Sequence, residues 1–273
     1  MELHAVADRD AAIGPIKRTP LWLWPNLLSL DAPLVAGLWQ WLFARCLHVR
    51  WEIWPAIVLT AAVWLIYAAD RVLDSRRSEY QTARHQFYRR HRRTAGRLWL
   101  VVLLCTAVMA VQLPRALFLR GSVLLIAVCI YLVLVQGLVH VSRFTWLKEA
   151  AVGALFAAGT TLVVWTGVST FADAVGIVLF AGLCWINCVA IEVWESGRSV
   201  LPIPFAAGML ASCAGLLVLV NGTLTGEGIA AAELISAIAF LFLHYRAKRC
   251  SRNALRVLAD VALFSPVLVL PFL

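Results

Sequence analysis

The sequence predicts an all-α integral membrane protein, a bundle of about nine transmembrane helices. Three observations point there. The 273 residues are 62% hydrophobic and only 14% charged, with a mean hydropathy of +0.83, which leaves too little polar surface to cover a soluble domain of this length. Apolar stretches of the length that spans a bilayer recur along the whole chain. The positive charges concentrate in every second connection between those stretches, on one side of the membrane. Helices are the expected form because a segment in hydrocarbon must satisfy its own backbone hydrogen bonds.

Taken in order, the expected spans are 26–45, 52–70, 98–115, 121–142, 146–168, 173–194, 201–220, 229–245 and 254–273. They form one domain over residues 26–273, preceded by a cytoplasmic segment, 1–25. That segment contains Arg9, Lys17 and Arg18 and no apolar run of the kind a secretory signal needs. Connections are short except for 71–97. With the N-terminus inside, only Arg45, Arg50, Arg115 and Arg120 of the 24 Lys and Arg residues fall on the outer side. Such a bias sets orientation, and it accounts for the net charge of +9 without a nucleic-acid partner. Trp22, Trp24, Trp51, Trp54, Trp99 and Trp146 fall at expected interfaces, where tryptophan anchors helices. The seven cysteines are scattered, with no CxxC pair, and read as small packing residues. The bilayer is therefore the first expected partner, in a bacterial-type cytoplasmic (inner) membrane.

Acids are costly near hydrocarbon, and two pairs stand out among the fifteen. Asp70 and Asp74 end the second span, and Glu192 and Glu195 end the sixth. Spacings of four and three put each pair on one helix face. The topology puts both pairs at the same membrane face. Helix C-termini carry partial negative charge, so acids there need a positive partner. Arg71, Arg76, Arg77 and Arg198 are adjacent, and either cluster alone reads equally as a set of interfacial ion pairs. Together, four carboxylates across a cavity suit a diphosphate bridged by Mg²⁺, with arginines on its oxygens. Asp31 in the first span also reads as functional from its depth. Asp260 and Glu233, inside the ninth and eighth spans, read as helix-holding acids.

This arrangement resembles the UbiA superfamily of intramembrane prenyltransferases. IYAADRVLD (66–74) is similar to the last two aspartates of the family's NDxxDxxxD motif, with Ile66 and Tyr67 where the family carries Asn and Asp. In SRFTWLKEAAVGALFAAGT (142–160) a basic segment leads into a G-x-x-F-A-x-G packing pattern. LSLDAPLVAGLWQ (28–40) and LRVLADVALFSP (255–266) look like the family's first and last helices. The second motif is Glu192 and Glu195, with Asn187 upstream.

The resemblance implies a central cavity open toward the cytoplasmic face and an enzyme that ionises a prenyl diphosphate there. Mg²⁺ held by Asp70, Asp74, Glu192 and Glu195 would carry the chemistry. Asp31, Tyr67, Arg71, Arg84, Arg143, Lys148, Asn187 and Arg198 would bind substrate. Trp64, Phe156, Phe180 and Trp185 offer aromatic faces to an allylic cation. Transfer to a hydrophobic or aromatic acceptor is the leading expectation. Terpene cyclisation without an acceptor is the alternative, and a noncatalytic or ion-binding membrane protein is a further one.

Overall fold

The computed structural model describes residues 20–74, 91–137, 145–196, 202–221 and 224–273. All regular structure among them is helical. The elements are α1 (Trp24–Leu27), α2 (Asp31–Cys46), α3 (Ile53–Asp74), α4 (Arg92–Ala110), α5 (Arg115–Gly137), α6 (Thr145–Thr161), α7 (Phe171–Ser196), α8 (Ile203–Asn221), α9 (Leu224–Arg246), α10 (Arg252–Ala262) and α11 (Pro266–Val269). Among the described residues six helices are long and apolar enough to cross a membrane, or up to eight if each of two bent pairs counts as one span. The chain is thus an all-α membrane protein. Each of the nine expected segments overlaps a helix or a bent pair, of which six to eight have the length and apolarity of a span. The fifth, α6, has 17 residues, about 26 Å at 1.5 Å per residue, shorter than the hydrocarbon core.

Prolines sit where helices tolerate them. Pro33, Pro55 and Pro204 lie in first turns, and Pro114 directly precedes α5, positions whose N–H has no intrahelical partner. The start of α7 is closed by a reciprocal cap. Asp173 Oδ2 accepts from the N–H of Thr170 at 2.8 Å, while Thr170 Oγ1 accepts from the N–H of Asp173.

Core and periphery divide sharply. α2 and α7 sit inside, where Trp39 stacks on Phe180 with ring centroids 4.3 Å apart. Trp39, Phe43, Phe180 and Phe240 are fully enclosed. α4 and α5 bury almost none of their apolar surface, as expected of helices bathed in lipid. α6 and α7 pack tightly because Gly153 of the expected packing pattern lies against the backbone of Ala181 and Trp185. Close approach through small residues is the usual means of helix association in hydrocarbon.

Both bent pairs free backbone carbonyls, and side chains take them up. Between α1 and α2 the axis turns by 81° at Ser29, whose φ of 56° is a left-handed value unusual outside glycine. Leu28 O, at this elbow, accepts from Trp64 Nε1 at 2.9 Å. Between α10 and α11 the axis bends by 44°. Pro266 has no N–H to offer Ala262 O, so Ser236 Oγ donates to that carbonyl instead. Leu263 O accepts from Trp39 Nε1 at 2.8 Å. Replacing Trp39 by Phe keeps most of the ring and strands that carbonyl. The expected loss is about 1–3 kcal/mol, read as a lower unfolding midpoint in detergent.

Candidate functional site

The polar residues gather at one end of the bundle, where α2 begins, α3 and α7 finish, and α10 enters. The elbow at Ser29 folds α1 back so that Asn26, 3% exposed, faces the first turn of α2. Its Nδ2 donates to Asp31 Oδ2 at 2.6 Å and reaches Asp260 Oδ2 at 3.3 Å. Asp31 Oδ1 also accepts from the N–H of Ala32 at 3.0 Å. Asp31 is itself 7% exposed, and its carboxyl contacts that of Asp260.

From the opposite wall, Asn187 of α7 donates through Nδ2 to Asp260 Oδ1 at 3.2 Å. Asp260 thus joins α1, α2, α7 and α10. One turn nearer the helix start, Arg256 is 5% exposed and pairs with Glu195. Arg252 lies a further turn back, so α10 presents the column Arg252, Arg256, Asp260 along one face. α3 contributes Arg71, which approaches both Arg256 and Asp260. The Arg71 guanidinium sits 5.8 Å from the centroid of the Tyr67 ring. The aromatic line continues inward from Tyr67 to Phe156 and Phe180, with centroids 6.4 and 6.3 Å apart.

Several enclosed polar atoms here have no hydrogen-bond partner among the described residues. They are Nε of Arg71, Arg252 and Arg256, Nε1 of Trp185 and Oδ1 of Asn187. Buried polar atoms are seldom left so; the other such atoms among the described residues belong to Gln40, Trp194, Glu233 and His244.

Of the expected site residues, Asp31, Tyr67, Arg71, Asn187 and Glu195 come together. Asp70 is half-buried near the end of α3, and Glu192 is exposed near the end of α7. Lys148 is exposed at the start of α6; beside it, Glu149 lies within electrostatic reach of Glu192. Arg84, Arg143 and Arg198, and the Asp74 side chain, lie outside the described residues. Among the described residues no three His, Cys, Asp or Glu side chains converge as metal ligands. Of the expected quartet, Glu195 is paired with Arg256, and the Asp74 side chain lies outside the described residues.

Two expectations shift in content. Asp260, read as a helix-holding acid, does bridge helices, but in the middle of the cluster. Glu233 is 1% exposed with neither carboxylate oxygen hydrogen-bonded, so it links no helices through hydrogen bonds among the described residues. Trp64 is occupied in tying the elbow and Trp99 in donating to Leu65 O. Sequence reasoning missed Asn26 and Arg256. For Arg256 a signal existed: Arg252, Arg256 and Asp260 recur every fourth residue, the latter two between apolar neighbours. Away from the cluster, a concavity of about 520 Å³ is lined by Arg93, Gly96, Arg97 and Leu100 of α4; it includes none of these residues and lies on a single helix.

Comparison with protein-family models, curated proteins and solved structures finds no match for this chain.

Proposed function

We propose that this chain is an intramembrane enzyme of the prenyltransferase type, binding a prenyl diphosphate with its headgroup at the cluster. The observation that carries the reading is the convergence of Asp31, Tyr67, Arg71, Asn187, Arg256 and Asp260 at one end of an apolar bundle. A ligand matching it has an anionic, hydrogen-bonding head and an apolar tail. Guanidinium groups aimed at a departing diphosphate stabilise the charge that develops on it. Tyr67 lies next to that position with Phe156 behind it, and these rings are the ones that could face an allylic cation. Nine crossings, a cavity open to the cytoplasmic side and a bacterial inner membrane with residues 1–25 inside belong to the same reading.

Mg²⁺ belongs to the family expectation. Of the four carboxylates named for it, Glu195 already has a cationic partner, and the Asp74 side chain lies outside the described residues. No step of the proposal is therefore routed through a metal.

The test is release of diphosphate by the chain in proteoliposomes given farnesyl or geranylgeranyl diphosphate with no acceptor and then with a quinone-precursor phenol. Arg71→Gln is expected to reduce release by about 10²–10³-fold. Hydrocarbon or alcohol formed without the phenol identifies the cyclase form of the chemistry. Failure of the wild type to release diphosphate under either condition, or full release by Arg71→Gln, overturns the enzyme reading.

A further inference from the structure

The column on α10 has a property the acidic motifs do not explain. Arg252 and Arg256 stand one turn apart, and Arg71 approaches Arg256 from α3 closely enough for the two cations to repel. All three Nε–H groups are enclosed and lack an acceptor among the described residues. Guanidinium is planar and presents several donors in a fixed fork that matches phosphate oxygens two at a time. Three such groups, each with an unused Nε–H, suit an anion bearing several oxygens.

The local acids differ in how firmly they are held. Asp31 and Asp260 are bound by the amides of Asn26 and Asn187 and lie within the cluster. Glu195 is in the last turn of α7, is 29% exposed, and is held by the ion pair with Arg256. It is the carboxylate that can leave at least cost, because its alternative position is solvent. An anion arriving at Arg256 meets this side chain as a competitor.

We propose that Arg71, Arg252 and Arg256 form a guanidinium clamp for a diphosphate, and that Glu195 is the resident counter-ion which the diphosphate displaces. The prenyl part of the ligand rests on the function proposed above; the anion chemistry does not. Glu195 then opposes ligand binding, where a metal-bridging carboxylate would support it.

The experiment is a calorimetric titration of the full chain in nanodiscs with inorganic pyrophosphate, in EDTA and separately with Mg²⁺. The wild type is expected to bind in EDTA. Arg256→Gln should weaken binding about 30-fold or more and Arg252→Gln about 10-fold, as for loss of charge-assisted forks. Glu195→Gln should tighten binding several-fold, and Arg256→Lys, which keeps the charge and loses the fork, should bind with intermediate affinity. Absence of wild-type binding in EDTA, unchanged binding by Arg256→Gln, or weaker binding by Glu195→Gln overturns the clamp. Should Arg256→Gln not fold, Arg252→Gln and Glu195→Gln decide alone, with the same two expected directions. Pyrophosphate binding in EDTA without turnover of geranylgeranyl diphosphate would support the clamp and sink the enzyme. Turnover with pyrophosphate binding indifferent to these variants would do the reverse.

Discussion

Replacing Asp260 by Ala is expected to lower the unfolding free energy by about 3 kcal/mol and to abolish ligand binding at the cluster. The size follows from what is stranded. Asn187 Nδ2 loses its acceptor, Asn26 keeps only Asp31, and Arg71 loses a nearby negative charge. Removing one member of an enclosed network leaves the others desolvated and unpaired, which costs more than the net worth of the contacts. Asp260→Asn separates shape from charge. It retains one acceptor oxygen for an amide and removes the charge near Arg71. Its expected stability lies between wild type and Asp260→Ala, and the midpoint of thermal unfolding in detergent ranks the three. An unperturbed midpoint in Asp260→Ala would refute the bridging role.

Gly153→Leu is expected to prevent folding outright, and Gly153→Ala to cost several kcal/mol. A Cβ at this position would stand 2.7 Å from Ala181 O and 2.8 Å from Trp185 N. Both are backbone atoms of α7, so no rotamer change relieves the clash and α6 must move away from α7. Overpacking of this kind commonly costs about 1–3 kcal/mol in a soluble core, and here it separates two whole helices. The site suffers as well, because α6 carries Lys148 and Glu149 and α7 carries Asn187, Glu192 and Glu195. Gly208 and Gly215 of α8 supply the control. Nothing lies within 4 Å of a Cβ at either, so Ala there is expected to be neutral or slightly stabilising, since alanine loses less backbone entropy in a helix. Folded yield from membranes, measured by size-exclusion profile, distinguishes the four variants.

The spans were legible because hydrocarbon imposes length and apolarity on every crossing helix. Bends were harder to read. Residues 26–30 are apolar enough to begin a span, yet they belong to a separate short helix and an elbow, because Ser29 adopts a left-handed conformation. Pro266 is visible in the sequence, but its consequence depends on Ser236 and Trp39 arriving from distant helices. At the site, Asp31 and Arg71 could be picked out because charges contrast with their apolar surroundings, whereas Tyr67 and Asn187 are reached only through the family resemblance. Arg256 could not be distinguished by a charge count, which treats an arginine beside a loop as topological whether or not it turns inward. The same limit applies to Glu195. Spacing puts it on a face with Glu192, but the cation that neutralises it comes from a helix some sixty residues later.

The column on α10 also bears on how the chain is assembled. Two arginines and an aspartate within 11 residues make this segment a poor candidate for insertion by itself, since each such residue opposes entry at a helix centre by about 2.5–3.5 kcal/mol on a translocon scale. Its charges are met by Asn26, Arg71, Asn187 and Glu195, all of them synthesised earlier. α10 therefore lodges as a late-fitting wedge into a receptacle that the preceding helices have already built. The residues proposed to hold a ligand are, on this view, also the ones that admit the bent pair of α10 and α11 to the membrane.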